Sequence, residues 1–391
     1  MSDLNDIELT AAQHARTHAC AERVRYEIKQ QGGSIGFDQY MQLVLNDPAV
    51  GYYHGQQKIF GAGGDFITAP ETSVHLAYCL AHACEQLIQD DPQRSILEIG
   101  AGSGKLACDV ITYLHAWGQL PARYYIYEPS EALRVKQKKL LETEIPEHVS
   151  RIEWLPNLSG EILSAIIIAN EVLDALPVKC FEVQADSIQE RCVALSEDGN
   201  LIWQLQDPVD DLDAALDYIT VMSDEPLGEL YRSEINLGLE NTLSAWTNCC
   251  EQCIMFLIDY GYPRSEYYHP QRSMGTLRSY YQHQVSEDPF KNPGLQDITA
   301  DVDFSAVAKA ATHLSLGVLS FGVQRNFMLA NRLLEWQPSA DNEVERIAQI
   351  AQLKQLTLGS AISERFQVMV LGKGIDYGAD RFTLRDMRAR L

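Results

Sequence analysis

Ile96-Leu97-Glu98-Ile99-Gly100-Ala101-Gly102-Ser103-Gly104-Lys105-Leu106 joins a short apolar run, three alternating glycines and a helix start. Such a run suits a strand covered on both faces. Glycines let the chain turn tightly and let a ligand approach the backbone, while the first turn of a helix offers N–H groups that lack intrahelical partners. The spacing is G-x-G-x-G. It is not the G-x-G-x-x-G of dinucleotide-binding units, and Gly104-Lys105 lacks the serine or threonine that would complete a P-loop. Both NAD- and ATP-dependent chemistry lose ground.

Outward from this loop, similar runs recur at Tyr124 to Tyr127, Ala165 to Ala169 and Ile254 to Ile258, with helical patterns between them. That alternation predicts an α/β protein with a largely parallel sheet. The runs end in Glu98-Ile99-Gly100, Glu128-Pro129, Asn170-Glu171 and Asp259-Tyr260-Gly261. Ligands of open α/β sheets sit beyond the carboxyl ends of the strands, so these endings are the expected site. Glu128 stands 24 residues after Gly104, where an acid can accept hydrogen bonds from both ribose hydroxyls of a nucleoside. A loop that need not hold phosphates has room for a methionine moiety, which favours S-adenosylmethionine over a dinucleotide. The third ending, Ile166-Ile167-Ile168-Ala169-Asn170-Glu171-Val172-Leu173-Asp174-Ala175-Leu176-Pro177, brings an amide and two carboxylates to the same mouth. Burying them without partners is costly, so they read as reaction-side groups or as a helix cap with an acid in its first turn.

The chain has 391 residues, 46% hydrophobic and 22% charged, which excludes disordered and fibrous classes. Its formal charge of −23 opposes binding to a phosphate backbone and suits solubility or attraction of a basic substrate. Nine scattered cysteines suggest free thiols in a reducing compartment, and the C-x-x-C at Cys250 and Cys253 has no second pair at zinc spacing, so no metal is expected. No apolar stretch is long enough for a membrane span, and the acidic start lacks secretory or transit features, which makes the cytoplasm the expected compartment.

Ahead of the core lies Gly61-Ala62-Gly63-Gly64-Asp65-Phe66-Ile67-Thr68-Ala69-Pro70-Glu71, readable as a lid or as a turn before a helix. Val74, Ala77, Tyr78, Ala81 and Cys84 continue at helical spacing. Residues 181–203 look like an antiparallel excursion, 207–246 like acidic helical material, and Phe366 to Leu371 like a last strand.

Several of these segments together resemble the MidA-like family of S-adenosylmethionine-dependent methyltransferases, which includes a mitochondrial arginine methyltransferase that assists assembly of respiratory complex I. They are the Gly64 to Glu71 segment, the glycine loop, Ala169 to Pro177, Ile258-Asp259-Tyr260-Gly261, Gly275-Thr276-Leu277-Arg278, His283-Gln284, Asp288-Pro289 and Pro293 to Phe304. The resemblance runs over roughly residues 20 to 375. It departs from the family at Ala101, where relatives often carry proline, and at Phe321-Gly322-Val323-Gln324-Arg325.

The resemblance implies a class I, Rossmann-like core with a seven-stranded, mainly parallel sheet whose last strand is antiparallel. Residues 1–94 would form an N-terminal helical extension with the lid. Residues 95–180 and 254–375 would form the core, 181–253 a substrate-side α+β insertion, and 376–391 a tail. Cofactor contacts are expected at Gly64, Asp65, Thr68, Glu98, Gly100, Gly102, Gly104, Glu128 and Asn170. Glu171 and Asp174, with Asn170 and Asp259, are the expected catalytic groups, Asp259 either as an acid that meets the substrate or as one that stands behind the others and supports them. A guanidinium is always charged and offers a fork of donors that a carboxylate can pair bidentately, so the expected acceptor is an arginine on a protein. His283 is weighed as either a structural histidine or a proton relay, and Asp301 and Asp303 as either acceptor-channel acids or a helix start. A homodimer is left open. The alternatives are a non-catalytic assembly factor that keeps the fold and an NAD-dependent oxidoreductase, which the loop spacing disfavours.

Overall fold

The computed structural model describes residues 9–55, 74–185, 187–222, 226–282, 284–337, 342–358 and 364–391. Gly64, Asp65, Thr68 and the rest of the lid segment lie outside the described residues, as does His283.

Seven strands build the central sheet: β1 (Ser95–Ile99), β2 (Tyr124–Tyr127), β3 (Ile152–Leu155), β4 (Ile162–Asn170), β5 (Cys250–Tyr262), β6 (Gly317–Val323) and β7 (Phe366–Lys373). Their order is β6-β7-β5-β4-β1-β2-β3, and a two-residue strand, Val302–Asp303, pairs with the end of β5. Neighbours among β1 to β5 run parallel, while β7 lies antiparallel between β5 and β6. This is the Rossmann-like class I architecture that the apolar runs and their resemblance imply.

Alternation along each strand divides the core into two layers. Ile96, Ile166, Ile168, Ile254, Phe256 and Ile258 pack with the helices Val74–Asp90 and Lys105–Ala116. Leu97, Ile99, Ala165, Ile167, Ala169, Met255 and Leu257 pack with the helices Leu239–Thr247 and Phe304–His313. The parallel register sets Ile99 beside Tyr127 and Ala169, and Asn170 beside Ile258. Gly100, Glu128, Asn170, Glu171 and Asp259 therefore meet at one edge of the sheet.

A second, antiparallel sheet contains Lys179–Val183, Ile188–Leu195, Leu201–Gln206 and Arg232–Ile235. The extension contributes to it through Ser34–Ile35, which pairs with Val193 and Ala194. Three sequence expectations are corrected here. Residues 207–246 are not helical throughout, because Arg232–Ile235 pairs with Lys179–Val183 in this sheet. The helix Leu239–Thr247 belongs to the central packing through Leu243 and Trp246. Strand β5 starts at Cys250 rather than at 254, its polar Glu251 and Gln252 masking the start in the sequence. A three-stranded sheet of Arg278–Tyr281, Gln284–Ser286 and Asp297–Thr299 follows β5.

All nine cysteines are buried free thiols, and no group of three metal-ligating side chains forms among the described residues. Among these residues no helix is long and apolar enough to cross a membrane.

Candidate active site

The glycine loop makes its turn with backbone that side chains resist: φ is +66° at Gly100, +53° at Gly102 and +88° at Gly104. A Cβ on Gly100 would stand 3.1 Å from Val172, so the first glycine also lets the loop close against the third strand ending. Gly104 precedes the helix Lys105–Ala116 as its N-cap and backs onto Gln137, while Gly100, Ala101, Gly102 and Ser103 line the cleft.

Beyond the strand ends lies a cleft of about 610 Å³ that contains Glu98, Gly100, Gly102, Glu128, Asn170, Glu171 and Asp174. It thus gathers most of the expected residues. Glu128 Oε1 accepts the Ser130 N–H at 2.9 Å, and Oε2 accepts from Gln137 Nε2 at 3.2 Å. The same Gln137 amide donates to Gly102 O at 3.0 Å and its carbonyl accepts from Trp154 Nε1 at 2.9 Å. Gln137 therefore ties acid and loop together, a role that nothing in its helical setting announces. Burial pushes the Glu128 carboxyl up to about 7.

Glu98 lines the floor of the cleft, but its Oε2 accepts from Tyr124 OH at 2.7 Å on the core side. Burial raises its pKa from 4.5 to about 7, with the Glu128 charge adding to the rise. The folded chain then holds a proton that the unfolded chain releases between these values, so stability falls as pH rises from 4.5 to 7. Glu98→Gln removes that penalty. Its urea midpoint should match wild type near pH 4.5 and exceed it above pH 7. The gain is at most ~3 kcal/mol, because each tenfold change in proton affinity is worth about 1.4 kcal/mol. An equal difference at both pH values would contradict the assignment.

Glu171 is one of few non-glycine residues at positive φ among the described residues, at +51°, and its N–H donates to Ile258 O at 2.9 Å. The strained turn places the residue at the cleft instead of continuing the strand. Asn170 Nδ2 lies 3.4 Å from Glu171 Oε1. Among the described residues, buried Asn170 Oδ1 and Asp174 Oδ1 have no hydrogen-bond partner. Burial, followed by the charges of Asp259, Glu171 and Asp297, holds the Asp174 carboxyl well above the usual range.

Asp259 does not line the cleft. Its Oδ2 accepts the N–H groups of Leu173 at 2.9 Å and Asp174 at 3.2 Å, and Oδ1 accepts that of Tyr260 at 2.8 Å. This geometry favours the supporting role of the two expected for Asp259: it braces the turn that carries Glu171 and Asp174. Asp259→Ala leaves the Leu173 and Asp174 N–H groups unsatisfied. Urea denaturation should show a loss of about 3 kcal/mol, given 1–3 kcal/mol per stranded buried donor. A loss within error of zero would remove the brace.

Asp303 caps the helix Phe304–His313 and pairs with Arg264 at 2.9 Å, which favours the helix-start reading, while Asp301 pairs with Arg365 at 3.3 Å. Tyr53, Trp246 and Asp297 also line the cleft. Of these, only Asp297 falls within a segment that carries the resemblance.

The model of the S-adenosyl-L-methionine-dependent methyltransferase family matches residues 76–322. The chain belongs to the MidA-like methyltransferase family. A candidate methyl transferase from Burkholderia thailandensis, bound to S-adenosyl-homocysteine, superposes with a TM-score of 0.91 at 32% identity, covering 98% of this chain and all of that one. A Caenorhabditis elegans protein named protein arginine methyltransferase NDUFAF7 homolog, mitochondrial, is 29% identical over 70% of this chain and 67% of its own length. Its Drosophila melanogaster counterpart is 27% identical over 74% and 69%. The chain is thus a methyltransferase of this family with S-adenosylmethionine as its methyl donor.

Proposed function

We propose that this methyltransferase modifies an arginine side chain on a protein acceptor. Glycine loop and Glu128 would hold S-adenosylmethionine, and Asn170, Glu171 and Asp174 would meet the acceptor. The residues fit the cofactor: the loop takes backbone that leaves room where side chains would stand, and Glu128 ends the strand next to it with an acid able to accept from ribose hydroxyls. When bound, the cofactor supplies an electrophilic methyl group on a sulfonium.

The observation that carries the acceptor side is the set of acids at one cleft mouth, with Asp174 Oδ1 lacking a partner among the described residues. An incoming guanidinium brings a positive charge and a planar fork of donors to carboxylates that otherwise repel one another. Glu171 would orient the fork, lean positive charge away from the attacking nitrogen and accept the proton that nitrogen releases as its new N–C bond forms and the S–CH3 bond breaks, which leaves S-adenosylhomocysteine. The names of the curated relatives support arginine as acceptor.

The test uses the purified full chain, isotope-labelled S-adenosylmethionine and an extract from cells lacking this protein, with mass spectrometry of the labelled residues. Methylarginine is the expected product. Label on lysine or on small molecules would overturn the acceptor, and cofactor binding without any transfer would favour an assembly factor that keeps the fold.

A further inference from the structure

We infer that Asp297, oriented by Tyr53, is a third acceptor-binding carboxylate, carried on a wall that Arg16 clamps. The inference rests on the arginine reading above. Both Tyr53 and Arg16 belong to the N-terminal extension, which reaches the cleft at Tyr53.

Tyr53 OH donates to Asp297 Oδ1 at 2.8 Å, and both residues line the same cleft as Glu171 and Asp174. Asp297 is 6% exposed. Two chain segments far apart in sequence must dock for this pair to form. The Arg16 guanidinium donates to Gly51 O and, from Nε at 3.2 Å, to Gly294 O, so one cation clamps the carbonyls just ahead of Tyr53 and Asp297. Gly294 permits the approach: its φ is +78°, and a Cβ there would stand 2.6 Å from Val50 O. Ser130 Oγ donates to Tyr53 O at 2.7 Å, tying the wall to the end that carries Glu128, and Ala300 N donates to Asp174 O at 3.0 Å, tying it to the turn that carries Glu171.

Burial, then the Asp297 and Asp174 charges, holds the Tyr53 hydroxyl well above its ordinary pKa, so it remains a donor to Asp297. Asp297 in turn is one of the charges acting on Asp174. The cleft therefore carries acids from strand ending β4 and from the extension-backed segment after β5. A guanidinium has five N–H donors in one plane and can pair along more than one edge, whereas an ammonium is a compact point charge. Carboxylates from two separate elements select the former.

The probe is an aza analogue of S-adenosylhomocysteine whose nitrogen carries an ethylguanidinium arm, compared by calorimetry with S-adenosylhomocysteine itself on the full chain. Wild type should bind the analogue more tightly, Asp297→Asn should cut that advantage at least tenfold with S-adenosylhomocysteine affinity within twofold, and Tyr53→Phe should cut it severalfold. An unchanged advantage in Asp297→Asn would overturn the inference while leaving the arginine reading in place. Equal losses for both ligands would also overturn it, by making the residue structural. No advantage in wild type would defeat the arginine reading itself, and the inference with it.

Discussion

Glu171→Gln should lower single-turnover methylation at least a hundredfold while the affinity for S-adenosylhomocysteine stays within about twofold of wild type. The substitution keeps side-chain shape and the turn whose N–H donates to Ile258 O, but it removes the charge that pairs a guanidinium and accepts its proton. A positioned proton acceptor contributes roughly 10²–10⁴-fold, and an interaction used in the transition state appears in turnover rather than in cofactor binding. Asp174→Asn should act in the same direction, since Asp174 is buried at the same mouth with Oδ1 lacking a partner among the described residues. Unchanged turnover in both variants would remove these acids from the chemistry. Lost S-adenosylhomocysteine affinity in both would move them to the cofactor.

The part of this architecture that was legible is local. Runs such as Ile166-Ile167-Ile168 need cover on both faces, and in the fold alternate residues serve two different clusters. Three glycines in five positions call for backbone that side chains resist, and all three have positive φ. Acids placed directly after such strands are brought to one edge by parallel register alone. What escaped depends on partners remote in sequence. Helical spacing in residues 239–247 indicates an apolar face but not which surface receives it; the central sheet does. Arg232–Ile235 is too short and too charged to announce a strand, and it becomes one by pairing with Lys179–Val183. Asp259 has the same sequence setting as the reaction-side acids, yet three backbone N–H groups claim its oxygens. Neither Tyr53 nor Gln137 carries a local signal, because each gains its role from a residue on another element.

Glu128 yields the second large effect, because its environment makes cofactor binding depend on both its presence and its charge. Burial raises the carboxyl to about 7, and only the ionised form accepts hydrogen bonds with both oxygens. Hydrogen bonds to a charged group contribute roughly 1.5–3 kcal/mol each, so losing two of them in Glu128→Ala should weaken S-adenosylhomocysteine at least a hundredfold. Gln137 also loses one of its partners in that variant, which loosens its grip on Gly102. In wild type, affinity scales with the ionised fraction. For a pKa of about 7 it should rise about tenfold from pH 6 to pH 8. Glu98 is also raised to about 7, and the Asp174 and Asp259 carboxyls are held well above their usual range, so the informative quantity is the ratio of wild-type to Glu128→Gln affinity. That ratio should climb with pH and level off above 7. Calorimetry across this range decides it: a flat ratio would mean that Glu128 does not meet the ribose as a carboxylate, and a Glu128→Ala variant that folds and binds as tightly as wild type would remove it from the cofactor site.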